Sequence, residues 1–132
     1  MKKAKFSMTK QKFINLWLKH FANEVTKEQL EKYVENQYIW HVFSWKLFKA
    51  SNLLIGDEAR QAFNKISKDD CICCDMFNGN GVTDKLSPRF DTAEKIDAEL
   101  EEFYVVDKDY SWTYIKTHEC DLCGPYFFKK AL

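Results

Sequence analysis

Towards its C-terminus the chain carries two runs rich in aromatic and β-branched residues, 111–117 and 126–129, separated by a short segment ending in Gly124-Pro125. Such side chains fit a pleated, half-buried surface, and glycine and proline punctuate turns. The two runs are therefore expected to pair antiparallel, as a hairpin closed over residues 120–125. An isolated hairpin is marginal in water, so the rest of the chain has to supply further strands or helices to cover it. The closing segment also gathers His118, Glu119, Cys120 and Cys123, more reactive side chains than any other window of the sequence.

The remaining chain divides by periodicity. Residues 9–23 read as an amphipathic helix, with Phe13, Trp17 and Phe21 four apart and Ile14 and Leu18 beside them. A second helix over about 26–37 opens on a capping box of Thr26 and Gln29, with Val25 placed to staple against Leu30. Residues 57–67 carry Ala59, Ala62, Phe63 and Ile66 on one stripe, with Asp57 capping behind Gly56. A further helix opens at Asp91 and Glu94 and presents Ala93, Ile96, Leu100 and Phe103. Strands are expected over 70–77, 104–106 and the two hairpin runs. Residues 38–48 are aromatic and β-branched and read as a strand placing Ile39, His41, Phe43, Trp45 and Leu47 on one face. A buried helix is the alternative there, because a short apolar run does not declare its period. Residues 78–90, opening on Asn-Gly-Asn-Gly, read as a mobile loop, and residues 1–8 as a frayed end. With helices mostly first and the hairpin last, the expectation is a single α+β domain over residues 1–132. Its antiparallel sheet would have about four strands, packed against three or four helices.

Composition narrows the function classes. The 132 residues are 45% hydrophobic and 16% aromatic, enough for one bulky core. Formal net charge is zero and the pI is about 6.8. Without a basic excess to displace counterions, no nucleic-acid partner is expected. The lysines at 2, 3, 5, 10 and 12 read as a solvated end. No apolar run reaches the roughly 20 residues that span a bilayer, and no export-signal core follows Met1, so a cytoplasmic protein without a membrane partner is expected. Five cysteines, an odd number in such a compartment, argue for reduced thiols or metal ligands instead of a disulfide framework.

Cys120 and Cys123 have the spacing of half a zinc knuckle, with Gly124 leaving room for the turn. Cys71 and Cys73, on one face of a strand, are the candidate partners, with His118 or Cys74 as further ligands. The simpler reading makes Cys71, Cys73 and Cys74 small buried hydrophobes. Thioredoxin-like redox chemistry fits poorly, because the Cys-x-x-Cys is followed by Gly-Pro and a strand where that chemistry needs a helix N-terminus. No nucleophile elbow and no phosphate-binding glycine loop is present. His41 lies in an apolar run and reads as half-buried, whereas His118 beside Glu119 is the better functional histidine. Trp40, Trp45, Trp112, Tyr114, Tyr126 and Phe128 exceed what one sheet face needs. The surplus either packs under helices or forms a binding surface.

Three stretches also look familiar together: Trp40-His-Val-Phe-Ser-Trp45, Gly56-Asp-Glu-Ala-Arg-Gln-Ala-Phe63, and Trp112-Thr-Tyr-Ile-Lys-Thr-His-Glu119 with Gly124-Pro-Tyr-Phe127. Over nearly the whole chain the sequence resembles a family of small Firmicutes proteins classed as a domain of unknown function. The resemblance implies a bacterial, cytoplasmic, single-domain protein and carries over no catalytic residues. The leading expectation is a non-enzymatic binding or interaction module of the immunity or regulatory kind, with a protein partner, no cofactor, and a surface at His118, Glu119, Trp40 and His41. The alternative is a small metal-binding protein or metal-dependent enzyme, holding zinc at Cys120, Cys123, Cys71 and Cys73 with His118 and Glu119.

Overall fold

The structure, a computed structural model, describes residues 7–33, 39–44, 52–77, 81–119 and 124–130. Helix α1 (Lys10–Phe21) starts where the hydroxyl of Thr9 accepts from the Lys12 amide at 3.0 Å, and it buries Phe13, Trp17 and Phe21. Helix α2 (Lys27–Tyr33) starts on the expected capping box: Thr26 Oγ1 accepts from the Gln29 amide at 3.1 Å, and Gln29 Oε1 accepts from the Thr26 amide at 3.0 Å. Val25 and Leu30 enter the same apolar cluster.

Residues 38–48 do not bear out the strand reading where they are described. Residues 41–44 form a single helical turn, α3 (His41–Ser44), led in by bonds from the Val42 amide to the Ile39 carbonyl and from the Phe43 amide to the Trp40 carbonyl. Ile39, Trp40, Val42 and Phe43 are all buried. Adjacent pairs facing the same way are a helical pattern; a strand would have turned neighbours to opposite sides. Residues 38 and 45–48 lie outside the described residues.

Six strands form one antiparallel sheet: β1 (Leu53–Ile55), β2 (Ile72–Asp75), β3 (Gly81–Thr83), β4 (Phe103–Val106), β5 (Trp112–Lys116) and β6 (Tyr126–Lys129), in the spatial order β1-β6-β5-β4-β2-β3. The C-terminal hairpin forms as expected, with Tyr114 opposite Phe127 and Ile115 opposite Tyr126. The two strands beyond the expected four are β1 and β3, of three residues each and on the two edges. Three residues are too few to show a period, so β1 escaped notice and β3 was read as part of a loop. That stretch also holds a 3₁₀ turn, Pro88–Phe90.

Helix α4 (Asp57–Lys65) follows β1 directly. Gly56 takes the N-cap position at φ 69°, a left-handed conformation that suits glycine, and donates to the Pro125 carbonyl at 2.9 Å. No side chain caps α4, so Asp57 is its first residue and not its cap. Helix α5 (Ala93–Glu99) is capped by Thr92, whose hydroxyl accepts from the Lys95 amide at 3.3 Å, and not by Asp91. It ends before Phe103, which belongs to β4.

Both sheet faces are covered. Cys74, Tyr104, Val106, Ile115 and Tyr126 pack with Phe13, Trp17, Trp40 and Phe43 from the α1–α3 segment. Cys73, Phe103, Val105, Trp112, Tyr114 and Phe127 pack with Ala59 and Phe63 of α4 and Ala93 and Ile96 of α5. Trp40, Trp112, Tyr114 and Tyr126 are thus core residues on two faces, and this double burial accounts for four of the six surplus aromatics; Trp45 lies outside the described residues. On the first face the buried hydroxyl of Thr113 is satisfied twice: Oγ1 accepts from Trp17 Nε1 at 3.1 Å and donates to the Val105 carbonyl at 3.0 Å. Among the described residues no helix is long and apolar enough to cross a membrane.

Candidate functional site

The strand alternation that buries β4 has a polar consequence at its leading end. Tyr104 and Val106 face α1 and α3, so Glu102, two residues before Tyr104, faces the same way. Its side chain is fully buried. A carboxylate withdrawn from water is costly unless donors meet it, and three do. Glu102 Oε1 accepts from Trp40 Nε1 at 3.0 Å and from His118 Nδ1 at 2.9 Å, and Oε2 accepts from the Tyr104 hydroxyl at 3.0 Å. The donors arrive from the turn into α3, from β4 itself and from the residues after β5. The pairing of Phe103 with Lys116 brings the end of β5 level with Glu102. The Glu102 carbonyl also accepts from the Met76 amide at 3.1 Å, and the Met76 carbonyl accepts from Lys10 Nζ at 3.0 Å, so α1 and the end of β2 are tied to the same spot.

His118 lies where this buried cluster meets the surface, its side chain 28% exposed. Trp40 meets its ring edge-on at 5.9 Å, and Phe77, an exposed aromatic, lies 5.3 Å away. With Nδ1–H donating to Glu102, the neutral imidazole has its acceptor at Nε2. The carboxylate thus sets the orientation and tautomer of a surface histidine. This is the same arrangement by which outer-shell carboxylates prepare histidines for metal binding or proton transfer. Glu119 follows His118 on the turn and is exposed.

Of the residues singled out in the sequence, Trp40 and His118 meet here through Glu102. The backbone of His41 adjoins Trp40 at the start of α3, while its side chain, like Cys120 and Cys123, lies outside the described residues. Cys71 and Cys73 do share one face, but it is the opposite one: both are buried against Phe63 and Ile96, away from Trp40 and Tyr104. They cannot join His118 around one ion. Among the described residues no group of three or more His, Cys, Asp or Glu side chains is placed to hold a metal. Glu102 falls within the run up to Phe103 that the periodicity assigns to a helix, and Tyr104, in the expected strand 104–106, carries no sign of its partner. The signal available was an acidic residue two positions before a tyrosine in the apolar run Phe-Tyr-Val-Val.

The strand cysteines are free thiols. Burial pushes Cys71 up to about 11, with Asp107 adding to the rise, and pushes Cys74 up to about 12. Burial raises Cys73 as well. Thiolates are the reactive form, so Cys71, Cys73 and Cys74 are expected to resist an aromatic disulfide reagent at pH 8 in the folded protein. Under denaturing, non-reducing conditions all five cysteines should react. A denatured count of three would reveal a disulfide, and native labelling of Cys71, Cys73 or Cys74 would show that the covered sheet opens readily.

The model of the family described as Domain of unknown function (DUF4275) matches residues 1–127, so the chain belongs to that family. No curated protein and no solved structure matches it.

Proposed function

We propose that this member of the family is a non-enzymatic binding module of the bacterial cytoplasm, of the immunity or regulatory kind. It would engage a protein partner through the surface formed by His118, Glu119 and Phe77. The observation that carries the reading is the fully buried Glu102 with its three donors. Buried ionic groups are seldom the most stabilising solution, and well-packed hydrophobic residues often replace them at no loss. A carboxylate kept at this position has a purpose beyond stability, and the one solvent-facing group it orients is the imidazole of His118. An oriented imidazole beside an exposed aromatic ring and a carboxylate offers a partner a hydrogen bond, a stacking surface and a charge in one small area.

The test uses His118→Asn, because the asparagine amide nitrogen takes the place of Nδ1 and preserves the bond to Glu102 while deleting Nε2. The variant is expected to melt within a few degrees of the wild type. Together with Glu119→Gln, it should fail to capture from host lysate a protein that the wild type captures. Capture retained by both variants would remove this surface from the function.

A second reading is favoured by the contact between His118 Nδ1 and Glu102. The same orientation suits a zinc ligand, with Glu119, Cys120 and Cys123 following in sequence. Protein purified without an affinity tag would then carry about one zinc per chain, as closed structural sites do, and His118→Asn would lose it. Metal-free protein that captures its partner normally sets this reading aside.

A further inference from the structure

Glu102 precedes β4 and His118 follows β5, and the turn that joins these strands lies at their other ends. There three side chains meet from distant parts of the chain: His20 in the last turn of α1, Tyr110 in the β4–β5 turn, and Lys130 just beyond β6. The Lys130 amide donates to the Ser111 carbonyl at 2.9 Å, which seats it beside that turn. The imidazole of His20 lies flat on the Tyr110 ring, 4.1 Å away at 16°. Lys130 Nζ donates to His20 Nδ1 at 3.4 Å and stands 5.1 Å over the Phe21 ring.

The cluster is built against local preference. Tyr110 has φ 57°, and its amide closes the turn onto the Asp107 carbonyl at 2.8 Å. This left-handed position of a hairpin turn ordinarily falls to glycine, and a bulky residue there is strained. The strain places the Tyr110 ring against His20 and Phe21. Lys19 and His20 suit the carbonyl end of α1, as cations at a helix C-terminus do. That end does not call for a further ammonium, brought against the imidazole from 110 residues away. Two basic groups in contact oppose each other's charge. Burial, then Lys130 and Lys19, hold His20 below the usual histidine range, and burial lowers Lys130. Burial also raises Tyr110, so its hydroxyl stays protonated. Among the described residues no carboxylate pairs with Lys19, His20 or Lys130. On the turn itself Asp107 accepts from the Ser111 hydroxyl at 2.6 Å, Lys108 reaches Asp70 at 3.8 Å, and Asp109 is exposed. With Nδ1 accepting from Lys130, the neutral imidazole carries its proton on Nε2. The cluster thus presents Nε2–H and two further ammonium N–H bonds, none of which meets an acceptor among the described residues.

We infer that this cluster binds the phosphate group of a small phosphate monoester. The phosphate oxygens accept from Lys130 Nζ and His20 Nε2, while Tyr110 holds the plane of the imidazole. A monoester carries close to two negative charges near neutral pH. It therefore answers Lys130 and also the second positive charge that His20 gains by taking a proton from solvent. A carboxylate, with a single charge, answers Lys130 alone. A chain of zero formal net charge fits a polyanionic nucleic acid poorly. The site stands independently of the reading proposed for His118.

The experiment titrates glycerol phosphate into the full chain at constant ionic strength and reads amide shifts and the His20 ring. The amides of His20, Ser111 and Lys130 are expected to move with a Kd of about 1–10 mM, and acetate to bind about tenfold more weakly. By linkage, saturation should raise the His20 pKa by about 0.5 or more. Lys130→Met keeps an apolar stem on Phe21 and should weaken binding about tenfold, with the melting temperature within a few degrees of wild type. Should that variant melt early, His20→Gln serves instead, with sulfate as a probe that stays doubly charged across the range. Sulfate affinity should fall between about pH 5.5 and 7.5 in the wild type and stay level in His20→Gln. Absence of shifts at these residues, equal binding of acetate, or an unmoved His20 pKa each overturns the inference. A phosphoserine peptide binding more than about tenfold tighter than glycerol phosphate overturns the small-molecule assignment in favour of a modified protein.

Discussion

Truncating Phe63 to alanine is expected to destabilise the protein by about 3–5 kcal/mol, measured as a fall in the denaturation midpoint with little change in slope. Phe63 is fully buried, stacks on Tyr114 at 4.3 Å and 18°, and meets Trp112 at 6.2 Å and 70°. Its neighbours in the core, Ala59 of α4 and Ala93 and Ile96 of α5, sit on helices that are tied to one another. Asn64 Nδ2 donates to Glu94 at 2.9 Å, and Asn64 Oδ1 accepts from the Ala93 amide at 2.8 Å. The cavity left by truncation cannot collapse without pulling these helices across the sheet, which places the cost at the upper end of the core range. Phe63→Leu, which keeps most of the volume, should recover the larger part of the loss. A cost below about 1 kcal/mol for the alanine variant is the size expected of a surface site, and would show that α4 does not pack as described.

Replacing Glu102 by leucine should be comparably damaging, at about 3–5 kcal/mol, because it removes the carboxylate that accepts from Trp40 Nε1–H and the Tyr104 hydroxyl in the core. Trp40 and Tyr104 are 1% and 0% exposed, so water cannot take over. The cause can be isolated. Adding Tyr104→Phe to Glu102→Leu removes one of these donors and should restore about 1 kcal/mol or more, although Tyr104→Phe alone is destabilising. Additive losses in the double variant would show that the hydroxyl does not depend on Glu102. His118→Ala, by contrast, leaves the carboxylate two of its three donors, and its half-exposed position lets water replace the third. Its expected cost is about 1–2 kcal/mol.

How much could be read beforehand depended on the range over which each feature is determined. The stripe of Phe13, Trp17 and Phe21, the reciprocal cap of Thr26 and Gln29, and the stripe through Phe63 lie within a few residues, and each appears in the structure as read. The hairpin was legible because both strands and their turn are contiguous. The strand reading failed at α3. Its residues are buried by two neighbouring elements, so their pattern reports the shape of the space they fill and not a backbone preference of their own. The end of α5 was misplaced because Leu100 and Phe103 continue its apolar period, although the chain has already turned towards β4. β3 has no pattern of its own and exists through its pairing with β2.

The sequence by itself determined the α+β class, the antiparallel hairpin and most helix positions, since local periodicity, capping and composition suffice for these. Only the tertiary structure decided that β4 and β5 are buried on both faces, that Cys71 and Cys73 lie across the sheet from His118, and that Glu102 joins Trp40 and His118. Those partners are separated from Glu102 by 62 and 16 residues. What brings them together is strand order and register, a property of the assembled sheet that no window of the chain contains.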